Sequence, residues 1–215
     1  MKKINFNAGP SALPNVVFKK SSEAIKELDG IGLSILEISH RSKKFSEIIS
    51  RAKDLALEIT GLESNEYEVL FLQGGASHQY LMVASNFLNN TAGYINTGTW
   101  SEKAIAEAKF YGKVIEVASS KDKNHTYIPK DIKIPSNIDY LHITSNNTIF
   151  GSQFHEFPKT DSPLIADMSS DIFSRKIDFS KFDLIYAGAQ KNIGAAGVTM
   201  VIIKKELLKK NKRKI

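Results

Sequence analysis

The chain has 215 residues, of which 42% are hydrophobic and 24% are charged, and it contains no cysteine. This composition is typical of a folded globular protein and differs from that of disordered or fibrous chains. The lack of cysteine excludes a disulfide framework and a thiolate metal site.

The formal net charge of +6 comes from one end of the chain. Residues 204–215 contain seven Lys or Arg and one Glu, whereas the remaining 22 basic and 22 acidic residues cancel. A nucleic-acid-binding face needs basic residues spread over a folded surface. We therefore predict no nucleic-acid partner and interpret the basic tail as a solvated helix end.

The first ten residues contain no apolar core long enough for a signal peptide, and no later stretch is long and apolar enough to cross a bilayer. These features predict a cytoplasmic protein without membrane contact. The histidines are scattered without metal-ligand spacing, and we predict no metal site. They are His40, His78, His125, His142 and His155.

In chain order, the first clear element is a helix. Apolar residues recur at helical spacing from Phe45 to Ile59, and Gly61 is a typical helix end. A short apolar run at 68–73 then predicts a strand. A glycine-rich turn at 74–77 follows it, and a helical pattern covers 79–88.

The alternation continues to the end of the chain. Residues 92–97 predict a strand, and the next helix is expected from Ser101, as its N-cap, to Tyr111, with Gly112 as its stop. Strands alternating with helices indicate a layered α/β fold with a mostly parallel sheet and a single domain. Further strands are predicted at 113–117, 138–143, 164–167, 184–186 and 198–203.

In open α/β sheets, ligands bind beyond the carboxyl ends of the strands. The turn at 74–77 begins a helix there, which suits a phosphate, although a Gly-Gly turn can also reflect geometry alone. Trp100, the only tryptophan, follows the next strand and can stack on a planar ring or fill the core. The polar cluster at 144–148 offers hydrogen bonds or simply forms a turn.

Two charged residues complete this edge. Asp167 ends an apolar strand, where a buried carboxylate needs a cation. Lys191 follows another apolar strand, where desolvation lowers a lysine pKa and favours a Schiff-base nucleophile, although a surface lysine is the alternative. A lysine, a carboxylate, an aromatic ring and a phosphate cradle together match the parts of a pyridoxal phosphate site.

Seven motifs in order along the chain resemble the phosphoserine aminotransferase family of fold-type I pyridoxal phosphate enzymes. The resemblance implies a large domain with a mostly parallel mixed sheet flanked by helices in three layers, α/β/α. The motifs are Asn5-Phe6-Asn7-Ala8-Gly9-Pro10, Ser39-His40-Arg41-Ser42, Leu72-Gln73-Gly74-Gly75-Ala76-Ser77, Asn96-Thr97-Gly98-Thr99-Trp100-Ser101, Asn146-Asn147-Thr148-Ile149, Asp167-Met168-Ser169-Ser170-Asp171 and Tyr186-Ala187-Gly188-Ala189-Gln190-Lys191-Asn192.

The resemblance also implies residue roles. Lys191 is expected to hold pyridoxal 5′-phosphate and to move the proton, and Asp167 to keep the pyridine nitrogen protonated. Trp100 is expected to stack on the ring, and Thr148 to bond its 3-hydroxyl. The phosphate is assigned to Ala76, Ser77 and Gln190, and the substrate carboxylate to Arg41 beside His40.

The implied reaction transfers an amino group between L-glutamate and 3-phosphohydroxypyruvate in serine biosynthesis. A second activity on a four-carbon phosphorylated substrate in pyridoxine biosynthesis and a homodimer are also implied. Family members continue well past the lysine, so residues 1–215 are expected to form an incomplete large domain without the C-terminal small domain. An inactive remnant and another fold-type I aminotransferase or lyase are the alternatives.

Overall fold

The computed structural model describes residues 3–210. The helices are α1 (Asn15–Lys26), α2 (Lys43–Thr60), α3 (Ser77–Phe87), α4 (Thr99–Ala108) and α5 (Lys205–Lys210). The strands are β1 (Tyr67–Gln73), β2 (Thr91–Asn96), β3 (Lys113–Ser119), β4 (Leu141–Thr144), β5 (Asn146–Asn147), β6 (Ser152–Gln153), β7 (Leu164–Asp167), β8 (Leu184–Gly188) and β9 (Val198–Lys204).

Seven strands form one sheet in the order β1-β9-β8-β7-β4-β2-β3. The four pairs among β8, β7, β4, β2 and β3 are parallel, whereas β9 lies antiparallel to both β8 and β1. The strands β5 and β6 form a separate antiparallel pair. The predicted layered α/β fold with a mostly parallel mixed sheet is confirmed.

Helices cover both faces of this sheet. One core contains Ala56 and Leu57 of α2, packed on the face that includes Ile185 of β8. The other contains residues of α3 and α4, packed on the face that includes Tyr186. Because neighbouring strand residues point to opposite faces, β8 is buried on both sides, which explains why its sequence is continuously apolar.

Several predicted element boundaries differ from the structure. Ser101 is not an N-cap, because Gly98 caps α4 and the Ser101 hydroxyl lies within the helix and donates to Thr144 Oγ1 at 3.2 Å. The helix ends at Ala108 rather than Tyr111. Residues 138–140 lie outside β4, although Ile138 and Tyr140 are buried. An apolar run therefore identified burial here, not strand pairing.

Sequence reasoning also missed α1, which contains no buried residue and has no side-chain cap. The basic tail is helical over Lys205–Lys210, and residues 211–215 lie outside the described part of the chain. Over residues 3–210, no helix has both the length and the apolar character needed to cross a membrane.

A group of buried aromatic side chains, the tyrosine–histidine cluster, lies between the sheet and α3. It consists of Tyr80, Tyr94, Tyr140, His142 and Tyr186. His142 Nε2 lies 2.9 Å from the Tyr186 hydroxyl, and its ring stacks on Tyr94 at 4.8 Å. The Tyr94 and Tyr140 hydroxyls are 2.7 Å apart. Burial lowers the pKa of His142 to about 3, so this imidazole is neutral.

Because His142 is buried in its neutral form, we expect the fold to lose stability in acid. A histidine in the unfolded chain has a pKa of about 6.5, so the stabilising effect of neutral His142 is complete above that pH and is lost as the pH falls towards 3. We expect His142→Gln to reduce the acid-side slope of unfolding free energy by about 1.4 kcal/mol per pH unit. Urea unfolding between pH 7 and pH 4 measures this slope. The exposed His155→Gln is the control, and equal slopes in both variants would contradict the prediction.

Candidate active site

The predicted site residues lie at one edge of the sheet. Strands β2, β4, β7 and β8 are mutually parallel, and β1 runs in the same direction because β9 is antiparallel to both β1 and β8. Their carboxyl ends therefore share an edge. The predicted cofactor residues follow these five ends.

Lys191 and Asp167 are two charged residues at this edge that act on each other. Lys191 lies in the turn after β8, and Asp167 is the last residue of β7. Burial lowers the pKa of Lys191 and raises the pKa of Asp167. The two charges partly offset these shifts. The Lys191 ammonium lowers the pKa of Asp167, and the Asp167 carboxylate raises the pKa of Lys191. The two groups therefore interact electrostatically across neighbouring strands.

Ser169 fixes the Asp167 carboxylate. Its backbone N–H and its hydroxyl donate to Asp167 Oδ1 at 3.0 and 2.6 Å. The Ser169 hydroxyl in turn accepts from the Gly188 N–H at 3.2 Å, which ties β7 to the end of β8. Sequence reasoning gave Ser169 no role, although an Asp side chain commonly accepts from the backbone N–H two residues later.

The start of α3 forms the predicted phosphate cradle. Gly74 adopts a φ of +96°, which glycine favours, and Ala76 is the N-cap of α3. Ala76 and the end of β8 border a small cavity of about 50 Å³. Ser77 is exposed and does not line it. The lining residues are Gly75, Ala76, Ser169, Gly188, Ala189, Gln190, Lys191, Gly197 and Val198.

Trp100 and Thr148, which follow β2 and β4 in the chain, contact each other. The Trp100 indole N–H donates to Thr148 Oγ1 at 3.2 Å. Trp100 is half-buried and belongs to neither hydrophobic core of the described residues. Core filling is therefore not what the structure shows for this tryptophan, and ring stacking stays a prediction.

Asn147 is an additional polar residue that sequence reasoning did not assign. It is completely buried, and neither side-chain amide atom has a partner among the described protein groups. It lies so close to Gly98 that a Cβ at Gly98 would be 2.5 Å from Asn147 Nδ2. An unsatisfied buried amide costs about 1–3 kcal/mol, so this position, beside Thr148, favours a bound polar group.

Arg41 and His40 have no recorded contact with the cofactor residues in the described part of the chain. Both are exposed in the turn before α2, where the Arg41 N–H donates to Ser39 Oγ at 3.1 Å. Within residues 3–210, no hydrogen bond or ion pair joins either side chain to the cavity residues. Their role in substrate binding stays a prediction.

Larger cavities lie elsewhere in the described part of the chain. One of about 770 Å³ is bordered by residues 128–132, 134 and 153–159, one of about 1000 Å³ lies between α1 and α2, and one of about 290 Å³ is bordered by residues 132, 134–136 and 159–162. None of these contains a predicted site residue. Among the described side chains, no group of three or more His, Asp or Glu is arranged to hold a metal ion. The grouping of Lys191, Asp167 and the α3 start, rather than cavity volume, identifies the candidate site.

The chain is similar to known proteins along its whole length. The sequence profile of the class-V aminotransferases matches residues 4–214. A phosphoserine aminotransferase of Flavobacterium johnsoniae is 58% identical over 217 residues, covering 100% of this chain and 61% of that protein. The chain therefore spans about three fifths of this relative's length.

Solved structures give the same result. The phosphoserine aminotransferase of Bacillus circulans subsp. alkalophilus has a TM-score of 0.93 and 44% identity, covering 98% of this chain and 59% of its own. A phosphoserine aminotransferase of Trichomonas vaginalis with bound pyridoxal phosphate has a TM-score of 0.90 and 33% identity, covering 99% of this chain and 61% of its own. The fold and its order of elements are thus shared with these enzymes.

Proposed function

Since the chain belongs to the class-V aminotransferase family, we propose that it is the cofactor-binding part of a phosphoserine aminotransferase. The reaction transfers an amino group between L-glutamate and 3-phosphohydroxypyruvate and yields O-phospho-L-serine and 2-oxoglutarate. The 58% identity to the Flavobacterium enzyme over the whole chain carries this proposal. Lys191 beside Asp167 supplies the chemistry that the reaction needs.

The residues present fit pyridoxal 5′-phosphate. Asp167 is a buried carboxylate with a raised pKa, and a protonated pyridine nitrogen would provide the cation that it needs. Lys191 has a lowered pKa, which favours the neutral amine that reacts with an aldehyde. Ala76 and Ser77 at the start of α3 provide N–H groups and a helix dipole for the phosphate, with Gln190 beside them.

When bound, the cofactor supplies an aldehyde that condenses with amines and a ring that withdraws electrons from the amino-acid Cα. Lys191 Nζ would hold the cofactor covalently and then move a proton to and from that carbon. Asp167 would hold the proton on the pyridine nitrogen, and Ser169 would keep the carboxylate oriented. Trp100 would stack on the ring, and Thr148, which already contacts Trp100, would bond the 3-hydroxyl.

The substrate side of the proposal rests on the family. Arg41, with His40, would pair with the substrate carboxylate. Residues 1–215 would form the large domain, with a small domain and a second copy of the chain completing the enzyme as a homodimer. A role in amino-acid biosynthesis supports a cytoplasmic location, and the pyridoxine-pathway substrate is a further activity of this proposal.

An inactive remnant and another fold-type I enzyme are the competing functions. The chain, loaded with cofactor, should respond to O-phospho-L-serine at a concentration about 10-fold lower than to L-serine, because a phosphate makes charge-assisted hydrogen bonds. The change in the near-visible absorbance band measures this response. An equal response to both amino acids would support another aminotransferase, and a folded chain without any band would support the remnant. We expect little turnover from this part of the enzyme alone.

A further inference from the structure

Residues 9–11, the N-terminal strap, cross over the turn that carries Lys191. The Ser11 N–H donates to the Gln190 carbonyl at 2.9 Å, and the Ser11 hydroxyl donates to the Lys191 carbonyl at 2.6 Å. Two successive carbonyls of the turn are therefore held by one residue that is 180 positions away in sequence. This bond pair fixes the orientation of the peptide groups on both sides of the Lys191 Cα.

The strap also covers the Lys191 side chain. A Cβ at Gly9 would lie 3.1 Å from Lys191 Cγ and 3.4 Å from Gln190 Cγ. A side chain at residue 9 would force its neighbours to move by a few tenths of an ångström, so the strap backbone packs closely against the aliphatic stem of the lysine. This contact contributes to the burial that lowers the Lys191 pKa.

Other contacts also hold the turn. The Ile193 and Gly194 N–H groups both donate to the Ala189 carbonyl, at 3.1 and 2.8 Å, and the Asn192 side-chain amide donates to the Ser170 and Ile172 carbonyls. None of these bonds involves the Lys191 carbonyl, which accepts from the Ser11 hydroxyl. The position of the Lys191 amine therefore depends on a backbone turn that the N-terminal strap holds in place.

We propose that Ser11 is a positioning residue for Lys191, and that the strap presents the lysine amine to the carbonyl carbon of its aldehyde partner. This role rests on the proposed function, because it requires Lys191 to react with the cofactor. The strap contains Gly9 and Pro10, the last two residues of the sequence motif at 5–10, to which the family resemblance assigned no role.

The test compares Ser11→Ala with Ser11→Thr, which keeps the hydroxyl. Rapid mixing with pyridoxal 5′-phosphate gives the rate of adduct formation, and the induced circular dichroism of the adduct band reports how firmly the ring is oriented. We expect Ser11→Ala to form the adduct about 5- to 10-fold more slowly, which is the effect of losing one hydrogen bond, and to show a weaker dichroism signal. Ser11→Thr should restore both.

Ser174→Ala is the matched control, because the Ser174 hydroxyl makes a similar 2.7 Å bond to the Asp171 carbonyl outside the Lys191 turn. It should leave the rate and the dichroism unchanged. Gly9→Ala should slow the reaction through its clash with the lysine stem, independently of Ser11. A wild-type rate in Ser11→Ala, with the fold intact, would overturn the positioning role alone. A wild-type chain without an adduct would instead overturn the proposed function, and the positioning role with it.

Discussion

Replacing Lys191 by alanine is expected to abolish the covalent adduct with pyridoxal 5′-phosphate and to leave the fold intact. Lys191 lies in a turn at the sheet edge, where burial lowers its pKa and raises the fraction of reactive amine near neutral pH. In the whole enzyme, amino transfer should also fall by about 10²–10⁴-fold, which is the usual effect of removing a proton-transfer group.

Borohydride reduction followed by peptide mass spectrometry locates the adduct. In the wild-type chain the pyridoxyl group should be on the peptide that contains Lys191. Lys113→Ala is the control, because Lys113 is exposed at the start of β3, at the opposite edge of the sheet. A near-visible band that persists in Lys191→Ala and disappears in Lys113→Ala would contradict the assignment.

The sequence predicted the sheet well because its central strands are buried on both faces. Residues 164–167 were predicted as a strand and form β7, and apolar runs likewise located β1, β2, β8 and β9. The helix α1 was missed although its sequence is nearly as amphipathic as that of α2. Its apolar residues pack on no core in the described structure, since Phe18 and Ile25 are about half exposed.

The site was predictable only as far as it follows from strand ends. Asp167 and Lys191 could be grouped because parallel strands bring their carboxyl ends to one edge. The contact between Ser11 and Lys191 could not be predicted, since nothing local marks a bond across 180 residues. Ser101 shows the same limit, because a serine before a helical pattern suggests a cap, whereas its hydroxyl donates to Thr144 on β4 and accepts from the Thr97 N–H.

Replacing Asp167 by asparagine is expected to stabilise the cofactor-free fold at neutral pH and to weaken cofactor binding. Burial raises the pKa of Asp167, so the folded chain binds this proton more tightly than the unfolded chain, in which the pKa is about 3.9. The stability that comes from the protonated carboxyl is therefore fully present at a pH below the unfolded-state pKa. It is lost as the pH rises through the folded-state pKa. Asparagine cannot ionise, and its Oδ1 can still accept both bonds from Ser169.

In chemical unfolding of the cofactor-free chain at pH 7, the free energy of unfolding should thus be higher for Asp167→Asn than for the wild type. This difference should shrink towards pH 4. Affinity for pyridoxal 5′-phosphate should fall about 10- to 100-fold, because a hydrogen bond to a charged group contributes about 1.5–3 kcal/mol. The exposed Asp161→Asn is the control for both measurements. A loss of stability at pH 7 together with unchanged cofactor affinity would show that Asp167 is a structural carboxylate. A gain of stability at pH 7 together with weaker cofactor binding would instead mean that the fold carries an unfavourable buried charge because the cofactor needs it.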